Sequence, residues 1–195
     1  MVIVVLTGSI AMGKSTAGTM LLRRKIPVFD ADRVVHNLFT KGGVAFDLIK
    51  KHFPTTINEV GVDRAMLSKI VFNNPEQLSF LESLIHPLVD TERKRFLQSH
   101  RRKKTNLVVL DIPLFFETKK RYKCDAVYVV SAPRFLQRQR ALARPGMTLG
   151  KLNAILSRQL PDHVKRRNSD LVIPTGLGKA YTNRVLTKRL KQMKG

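Results

Sequence analysis

Residues 8–15 read GSIAMGKS and stand directly after the apolar run VIVVL at positions 2–6. This stretch has the spacing G-x-x-x-x-G-K-[ST], which is typical of a phosphate-binding loop whose backbone N–H groups surround an anion. Because an apolar run precedes the loop and a helical pattern follows it, the sequence predicts a strand, a loop and a helix in succession. The positive end of the helix dipole would then point at the same anion.

Two side chains of this loop have chemistry that suits a nucleoside triphosphate. Lys14 is expected to reach the β- and γ-phosphates, and the Ser15 hydroxyl is expected to ligate Mg²⁺. An ordinary tight turn is the alternative interpretation of the same letters. The flanking strand and helix patterns favour the phosphate loop.

Apolar runs along the chain predict the strands of a parallel sheet. They are short and rich in β-branched residues and do not alternate with polar ones, as expected of strands covered on both faces. Helical patterns separate them, so we predict a three-layer α/β fold with a doubly wound, parallel, five-stranded sheet. The predicted strands are 2–6, 28–29, 107–110, 126–130 and the weaker 171–173, and the predicted helices between them are 15–24, 133–143 and 178–193.

Two segments are too long to be simple crossovers of such a sheet. The gap between residues 29 and 107 exceeds ordinary loop lengths, so we expect an inserted domain there. A second, arginine-rich insertion is expected between residues 140 and 162. The pair His86-Pro87 predicts a break between two helices of the first insertion. The helices predicted for that insertion are 32–39, 44–53, 63–72, 75–84 and 88–100.

The composition is that of a globular protein with an excess of positive charge. The 195 residues are 43% hydrophobic, and 36 Lys and Arg against 14 Asp and Glu give a formal net charge of +22. No apolar stretch approaches the roughly 18 residues of a membrane span, and no basic segment precedes residues 1–6 as in a signal peptide. The single cysteine, Cys124, suits a reducing compartment. We therefore expect a cytoplasmic chain with no membrane partner.

The basic residues form short clusters at 101–104, 119–121 and 165–167. Such clusters attract polyanions, so nucleic acid is one candidate ligand, and solvated helix faces are the plainer interpretation. Proteins that bind single strands interleave aromatic rings with basic residues, and Tyr122, directly after the cluster at 119–121, is the only aromatic residue that accompanies these clusters. An RNA-binding P-loop ATPase therefore fits poorly, and we predict no specific nucleic-acid partner.

Three carboxylates follow predicted strands, at the edge where a parallel sheet binds its ligands. Asp30 and Asp32 come after the second strand, and Asp111 ends the third. Asp32 could accept the proton of an attacking hydroxyl or bind Mg²⁺ through water, with Asp30 sharing that role or being structural. Asp111 could bind the metal ion. A helix cap or a turn residue is the alternative at each position.

Arg140 and Arg144 stand four residues apart in the second insertion, so on a helix they would share one face. Arginines at this place could hold the γ-phosphate while its charge spreads during transfer. A solvated basic face is the alternative, and the sequence favours neither interpretation.

Several further segments match one family in the same order. They are Asp30-Ala31-Asp32, His86-Pro87, the segment from Asp111 through Pro-Leu-Phe-Phe to Glu117, Arg140, Arg144, Arg158-Gln159 and 169–173, together with the loop. With these segments the chain resembles the dephospho-coenzyme A kinase family over nearly its whole length. Two positions depart from the family pattern: Ala11 stands where glycine is usual, and asparagine is frequent near Thr175.

This resemblance implies transfer of the γ-phosphate of ATP to the ribose 3′-hydroxyl of 3′-dephospho-coenzyme A, which yields coenzyme A and ADP. It also implies a nucleotide-binding core (1–31, 105–137 and 163–195), a helical acceptor domain (32–104) and a lid (138–162). We expect a monomer or a weak homo-oligomer. A different small P-loop kinase, acting on a nucleoside, a nucleotide or a small alcohol, is the nearest alternative.

The resemblance also implies roles for individual residues. Asp32 is the expected general base, with Lys14 and Arg140 as the other catalytic residues, and His86 and Leu114 are expected on the acceptor side. Ser15 and Asp111 are the expected ligands of Mg²⁺. The residues expected to bind the nucleotide are Gly8, Ala11, Met12, Gly13, Lys14, Ser15, Thr16, Arg144 and Thr175.

Overall fold

The computed structural model describes residues 1–72, 74–118 and 122–193, so the basic cluster at 119–121 lies outside the described residues. Among the described helices, none combines the length and the apolar character needed to cross a membrane. In chain order the elements are β1 (Val2–Thr7), α1 (Lys14–Arg23), β2 (Val28–Asp30), α2 (Ala31–Phe39), α3 (Phe46–His52), a 3₁₀ helix (Pro54–Thr56), β3 (Ile57–Asn58), β4 (Gly61–Val62), α4 (Arg64–Phe72), α5 (Pro75–Arg102), β5 (Leu107–Asp111), β6 (Ala126–Ser131), α6 (Arg134–Leu142), α7 (Leu149–Ser157), α8 (Asp162–Arg167), β7 (Leu171–Pro174) and α9 (Lys179–Gln192).

The main sheet has five parallel strands in the order β2-β5-β1-β6-β7, with helices flanking it. The central strand β1 pairs with β5 on one side and β6 on the other, so that Val4 lies opposite Val109 and Ala126. The β1 residues Val4 to Leu6 are fully buried, which explains why the sequence run does not alternate. Every predicted strand is present and extends one residue further at its carboxyl end. The predicted α/β fold is confirmed.

The chain divides into two compact units, of which the first comprises Met1–Phe29 and His100–Gly195. Its hydrophobic core includes Leu6, Tyr128 and Ile173 of the sheet. Apolar residues of α1 and α9, such as Leu21 and Leu186, pack into the same core. The helical spacing of apolar residues predicted α9, and the position directly after the phosphate loop predicted α1.

The second unit, Asp30–Ser99, has a hydrophobic core of its own, formed by residues of α2 to α5. The prediction that this insertion contains only helices was incomplete, because β3 and β4 form an antiparallel hairpin in which Ile57 pairs with Val62. The Asn58 side chain closes the turn by accepting hydrogen bonds from the N–H groups of Val60 and Gly61. Strands of two residues are too short to show an alternating pattern.

Helix α5 corrects the prediction of two helices separated by His86-Pro87, because it runs unbroken from Pro75 to Arg102 with Pro87 inside. Proline removes one backbone hydrogen bond and crowds the preceding turn, so the pair is normally a sign of a break. Ile85 before the proline is buried, and Leu88 after it packs against the same core. Tertiary packing on both sides of the proline therefore maintains the helix.

A buried ion pair in the first unit connects the segment after β5 to α8. Lys165 has no exposed surface, and its Nζ lies 2.6 Å from Oε1 of Glu117. The same carboxylate oxygen accepts a hydrogen bond from the N–H of Leu160 at 2.9 Å. At the start of α8, Asp162 accepts a hydrogen bond from the hydroxyl of Ser131, the last residue of β6. These contacts fix the chain between α7 and α8 in place.

Replacing Lys165→Met is expected to lower the free energy of unfolding by about 3 kcal/mol, because the Glu117 carboxylate would remain buried without its cation. Arg166→Met is the matched control, since Arg166 is the exposed next residue of the same helix; its effect should stay within about 0.5 kcal/mol. Urea denaturation of the two variants measures both values. Equal stabilities would mean that the ion pair does not stabilise the fold.

Candidate active site

The loop between β1 and α1 has a backbone shape that requires glycine at two positions. A Cβ on Gly8 would lie 2.4 Å from Cγ2 of Val130, and a Cβ on Gly13, whose φ is 91°, would lie 3.0 Å from the Thr175 side chain. Ala11 also has a left-handed backbone, with φ of 59°. For a residue with a Cβ this conformation costs roughly 1–2 kcal/mol. The loop therefore has the predicted form, with alanine at a position that suits glycine.

Helix α1 begins at Lys14 directly after this loop. Gly13 is its N-cap residue, and in the described part of the chain no side chain caps this helix end. Side-chain oxygens of Asp30 and Thr148 cap α2 and α7, whereas α3, α6, α8 and α9 resemble α1 in having no side-chain cap among the described residues. The first N–H groups of a helix need partners, and together with the helix dipole they favour an anion. The start of α1 thus has the features of a phosphate-binding site.

Lys14 and Asp111, which were predicted at one site, are brought together by the fold. Lys14 Nζ lies 2.5 Å from Oδ1 of Asp111, and the two side chains are 16% and 6% exposed. Gly18 of α1 lies next to the carboxylate, since a Cβ there would lie 3.6 Å from Oδ2 of Asp111, which is an ordinary contact distance. The carboxylate at the end of β5 therefore holds the lysine ammonium group beside the phosphate loop.

The side-chain oxygen atoms of Ser15 and Asp111 are the candidate protein ligands of a magnesium ion. Hydroxyl and carboxylate oxygens are hard ligands that suit Mg²⁺. Within the described residues, no group of three or more His, Cys, Asp and Glu could hold a metal ion by itself. Mg²⁺ in phosphate sites commonly has only one or two protein ligands and completes its shell with water and substrate phosphates. The residues present fit an ion of that kind.

A chain of hydrogen bonds connects Arg140, Thr175 and the loop. The Thr175 hydroxyl donates to the carbonyl of Met12 at 2.6 Å. Arg140, in the last turn of α6, donates to the Thr175 carbonyl at 2.8 Å and to its hydroxyl at 3.2 Å. Thr175, predicted to bind the nucleotide, therefore contacts the loop backbone directly, and Arg140 contacts it through Thr175.

The prediction that Arg140 and Arg144 share one helix face is wrong. Helix α6 ends at Leu142 with Ala143 as its C-cap, so Arg144 lies beyond the helix. Its side chain is exposed. A residue before proline is disfavoured in the α conformation, and Pro145 follows Arg144 directly. That sequence signal predicts the helix end.

Asp30 and Asp32 have different local roles. Asp30 ends β2 and is the N-cap of α2, where its Oδ1 accepts a hydrogen bond from the N–H of Arg33 at 3.0 Å. The capping alternative is therefore confirmed for Asp30. Asp32 lies inside the first turn of α2, and its side chain is exposed. A carboxylate at that place interacts favourably with the helix dipole.

The two residues predicted on the acceptor side lie in different units. His86 is in α5, with an exposed side chain, and Leu114 follows β5 and is 47% exposed. The segment that carries Leu114 is held at one end because the Thr7 hydroxyl donates to the carbonyl of Pro113 at 3.0 Å. Glu117 holds its other end through Leu160 and Lys165. An anchored segment thus presents an apolar side chain to solvent.

Sequence reasoning assigned no role to three buried or half-buried polar residues of the first unit. Gln137 and Gln159 form hydrogen bonds with Ile10 of the loop, and Lys165 is the buried partner of Glu117. Gln and Lys are residue types that are mostly exposed, so their identity gives no sign that these three are buried or half-buried. The only available sign was that Gln159 falls in a segment shared with the family.

The fold and this site define a P-loop phosphotransferase: a parallel sheet whose central strand leads through a phosphate loop into a helix that starts with lysine. The family model described as dephospho-CoA kinase matches residues 2–177. The chain therefore belongs to the dephospho-CoA kinase family. It is 53% identical over 161 residues to the dephospho-CoA kinase of Paramagnetospirillum magneticum, covering 83% of this chain and 76% of that one. It is 46% identical over 190 residues to that of Rhodospirillum rubrum, covering 96% and 90%.

Solved structures agree with this membership. The dephospho-CoA kinase from Campylobacter jejuni superposes with a TM-score of 0.67 at 25% identity, over 99% of this chain and 98% of that one. A Thermus thermophilus protein superposes with a TM-score of 0.83 at 28% identity, over 98% and 96%. A shikimate kinase from Acinetobacter baumannii shares the fold alone, with a TM-score of 0.52 at 18% identity over 98% and 94%.

Family membership confirms the predicted activity. The chain is a kinase of the last step of coenzyme A biosynthesis, in which ATP phosphorylates 3′-dephospho-coenzyme A to give coenzyme A and ADP. The alternatives of a kinase for another small acceptor and of an RNA-binding ATPase are thereby set aside.

Proposed function

We propose that the loop from Ala11 to Thr16 binds the triphosphate of ATP, with Lys14 on its β- and γ-phosphates. The observation that carries this proposal is the glycine-shaped loop that leads into the N-terminus of α1, with the ammonium group of Lys14 held beside it by Asp111. The ammonium charge and the N–H groups act on the same anion, so negative charge that shifts onto the β–γ bridging oxygen during transfer is stabilised. Gly8 allows the close approach of the loop to Val130. Thr175 holds the Met12 carbonyl of the loop and is proposed to lie at the nucleotide.

Asp32 is proposed as the general base. It takes the proton of the ribose 3′-hydroxyl while that oxygen bonds to the γ-phosphorus, and the bond to the β–γ bridging oxygen breaks to release ADP. Support comes from chain order: α2 follows β2 directly, and β2 neighbours β5, which ends at Asp111. Because Asp30 already caps α2, the Asp32 carboxylate is not required for that role. His86 and Leu114 are proposed to contact the acceptor.

The segment 138–162 is proposed as a lid that brings Arg140 and Arg144 to the γ-phosphate. Support comes from its charge and from the exposed side chain of Arg144, which follows the end of α6. Residues 32–104 are proposed as the acceptor domain, and 1–31, 105–137 and 163–195 as the nucleotide-binding core. A monomer or weak homo-oligomer, a cytoplasmic location and the lack of a specific nucleic-acid partner stay predictions.

Mg²⁺ is proposed to bind the Ser15 hydroxyl and the Asp111 carboxylate, where it would neutralise phosphate charge. Chelation of divalent cations is then expected to abolish ADP release. Asp111→Asn should raise the half-saturating Mg²⁺ concentration roughly tenfold or more, because the ion loses an anionic ligand. The measurement is a Mg²⁺ titration of ADP release at saturating ATP and acceptor.

Asp63→Asn provides the matched control for this experiment. Asp63 caps the start of α4 by accepting hydrogen bonds from Ala65 and Met66, and asparagine caps a helix equally well. Its Mg²⁺ requirement should equal that of the wild type. An Asp111→Asn enzyme with the wild-type Mg²⁺ requirement would remove Asp111 from the metal site.

A further inference from the structure

Both backbone polar groups of one loop residue, Ile10, are bound by glutamine side chains. The N–H of Ile10 donates to Oε1 of Gln159 at 3.0 Å, and the carbonyl of Ile10 accepts from Nε2 of Gln137 at 2.9 Å. The backbone partners fix the orientation of each amide, because an N–H can only donate and a carbonyl can only accept. Gln159 is therefore used as an acceptor and Gln137 as a donor.

The Gln137 bond fixes the direction of the next N–H group in the loop. A trans peptide is planar, so the carbonyl of Ile10 and the N–H of Ala11 point in opposite directions. When Gln137 holds the carbonyl on the α6 side, the N–H of Ala11 must face away from α6. Ala11 is the first residue of the segment proposed to bind the triphosphate, so Gln137 aims the first of its N–H groups.

The Ala11 backbone needs this support. Its left-handed φ of 59° is disfavoured for a residue with a Cβ, and such a conformation persists only when its surroundings over-determine it. The methyl group of Ala11 is buried in a small apolar cluster with Ala141 of α6 and Leu152 of α7. The Gln137 bond from α6 and the apolar packing against α6 and α7 thus both hold the backbone at Ala11.

Gln137 directly precedes the segment 138–162, and Gln159 lies near the carboxyl end of that segment. Gln137 is in α6 and is 5% exposed, and Gln159 follows α7. Leu160, next to Gln159, donates its N–H to the buried carboxylate of Glu117. Hydrogen bonds to Ile10 therefore connect both ends of the proposed lid to the phosphate loop. Near Gln159, the bond from Leu160 to Glu117 also holds the lid to the segment after β5.

We propose that Gln137 and Gln159 are positioning residues for phosphate binding, which hold the Ile10 peptide so that the Ala11 N–H faces the triphosphate. This inference rests on the proposed role of the Ala11–Thr16 loop. The two glutamine side chains contact the loop through their hydrogen bonds to the backbone of Ile10. Their loss is expected to weaken the affinity for phosphate and to leave the affinity for the acceptor unchanged.

The opposite roles of the two amides allow a sharp experiment with glutamate. Gln159→Glu keeps an acceptor for the Ile10 N–H, whereas Gln137→Glu places a carboxylate against the Ile10 carbonyl and cannot donate. Both changes add one negative charge near the loop, so their difference isolates the hydrogen bond. Gln139→Glu is the control, because Gln139 is exposed on the same helix. Gln137→Met and Gln159→Met remove each bond without a charge.

The readouts are the Kd of ATP by calorimetry, the Ki of inorganic tripolyphosphate against ATP, and the KM for the acceptor substrate. Gln137→Glu is expected to raise the Kd of ATP and the Ki of tripolyphosphate roughly tenfold more than Gln159→Glu does. Each methionine variant should raise both constants several-fold. The KM for the acceptor should not change, and circular dichroism should show a native fold.

Equal effects of the two glutamate variants, or an unchanged Kd of ATP in both methionine variants, would overturn the inference. If the Gln137 variants do not fold, the pair at 159 decides: weaker ATP binding with Met but not with Glu supports positioning, and equal binding refutes it. Lys14→Ala separates this inference from the proposed function. Loss of ATP binding in Lys14→Ala, with normal binding in all the glutamine variants, refutes the positioning role alone. Normal ATP binding and turnover in Lys14→Ala refute the role of the loop itself.

Discussion

Lys14→Ala is expected to lower the kcat of ADP release by at least about 10³-fold, the upper range for removal of one group that stabilises transition-state charge in a dry site. Lys14 is the first residue of α1 and lies at the phosphate loop with only 16% of its side chain exposed. Without its ammonium group, the charge that builds on the phosphates loses the one cation that the phosphate loop itself supplies. Steady-state kinetics with ATP and 3′-dephospho-coenzyme A measures the loss.

Lys179→Ala is the matched control for this variant. Lys179 is likewise the first residue of a helix, α9, and likewise follows a glycine with positive φ, Gly178, but its side chain is exposed. It should retain the wild-type kcat. A folded Lys14→Ala enzyme with near-normal kcat would exclude the loop lysine from the mechanism.

The structure adds a stability effect to Lys14→Ala that a loop residue would not suggest. Asp111 is 5% exposed and would lose the cation 2.5 Å away, so the single variant should also be less stable. The double variant Lys14→Ala with Asp111→Asn removes the uncompensated charge. It should recover stability and remain inactive, which separates the loss of catalysis from a loss of fold.

The parts of the molecule that were predictable from sequence are those set by local patterns. Strands covered on both faces of a parallel sheet are apolar without alternation, and all five strands of the main sheet were predicted from such runs. The phosphate loop is predictable because Gly8 and Gly13 occupy positions where a Cβ would collide with Val130 and Thr175. In both instances one short segment carries a recognisable pattern, although the residues that Gly8 and Gly13 would collide with are distant in the chain.

The features that sequence did not predict depend on contacts between distant segments. Pro87 normally ends a helix, and only packing of its neighbours on the core of the second unit keeps α5 continuous. Gln137 and Ile10 are 127 residues apart in the chain, so neither residue by itself suggests their bond. Lysine is a residue type that is usually exposed, but Lys165 is fully buried in an ion pair with Glu117.

Part of the net charge of +22 has a structural explanation. Several helices end with basic residues in their last turn, among them α3, α5, α8 and α9. Cations at these places interact favourably with the negative end of the helix dipole. The cluster at 165–167 is one such helix end, and its first lysine is buried. Basic helix ends of this kind do not require a nucleic-acid ligand.

Asp32→Asn is expected to lower kcat at least about 10²-fold if Asp32 takes the proton of the ribose hydroxyl, the lower range for general base catalysis. The variant keeps the shape and one hydrogen-bond acceptor and loses the charge and the basicity. The KM values for ATP and for the acceptor should change much less than kcat, because the interaction lost is made mainly in the transition state.

Asp30→Asn separates catalysis from helix capping. Asp30 caps α2 through the N–H of Arg33, and asparagine is an equally good cap, so this variant should keep both its stability and its kcat. If Asp32 served only the helix dipole, its replacement would weaken stability by about 0.3–1 kcal/mol and leave kcat unaltered. The two variants remove the same charge at positions two residues apart in one helix turn. A loss of kcat in Asp32→Asn alone therefore assigns the proton transfer to Asp32, and a near-normal kcat in both would exclude it.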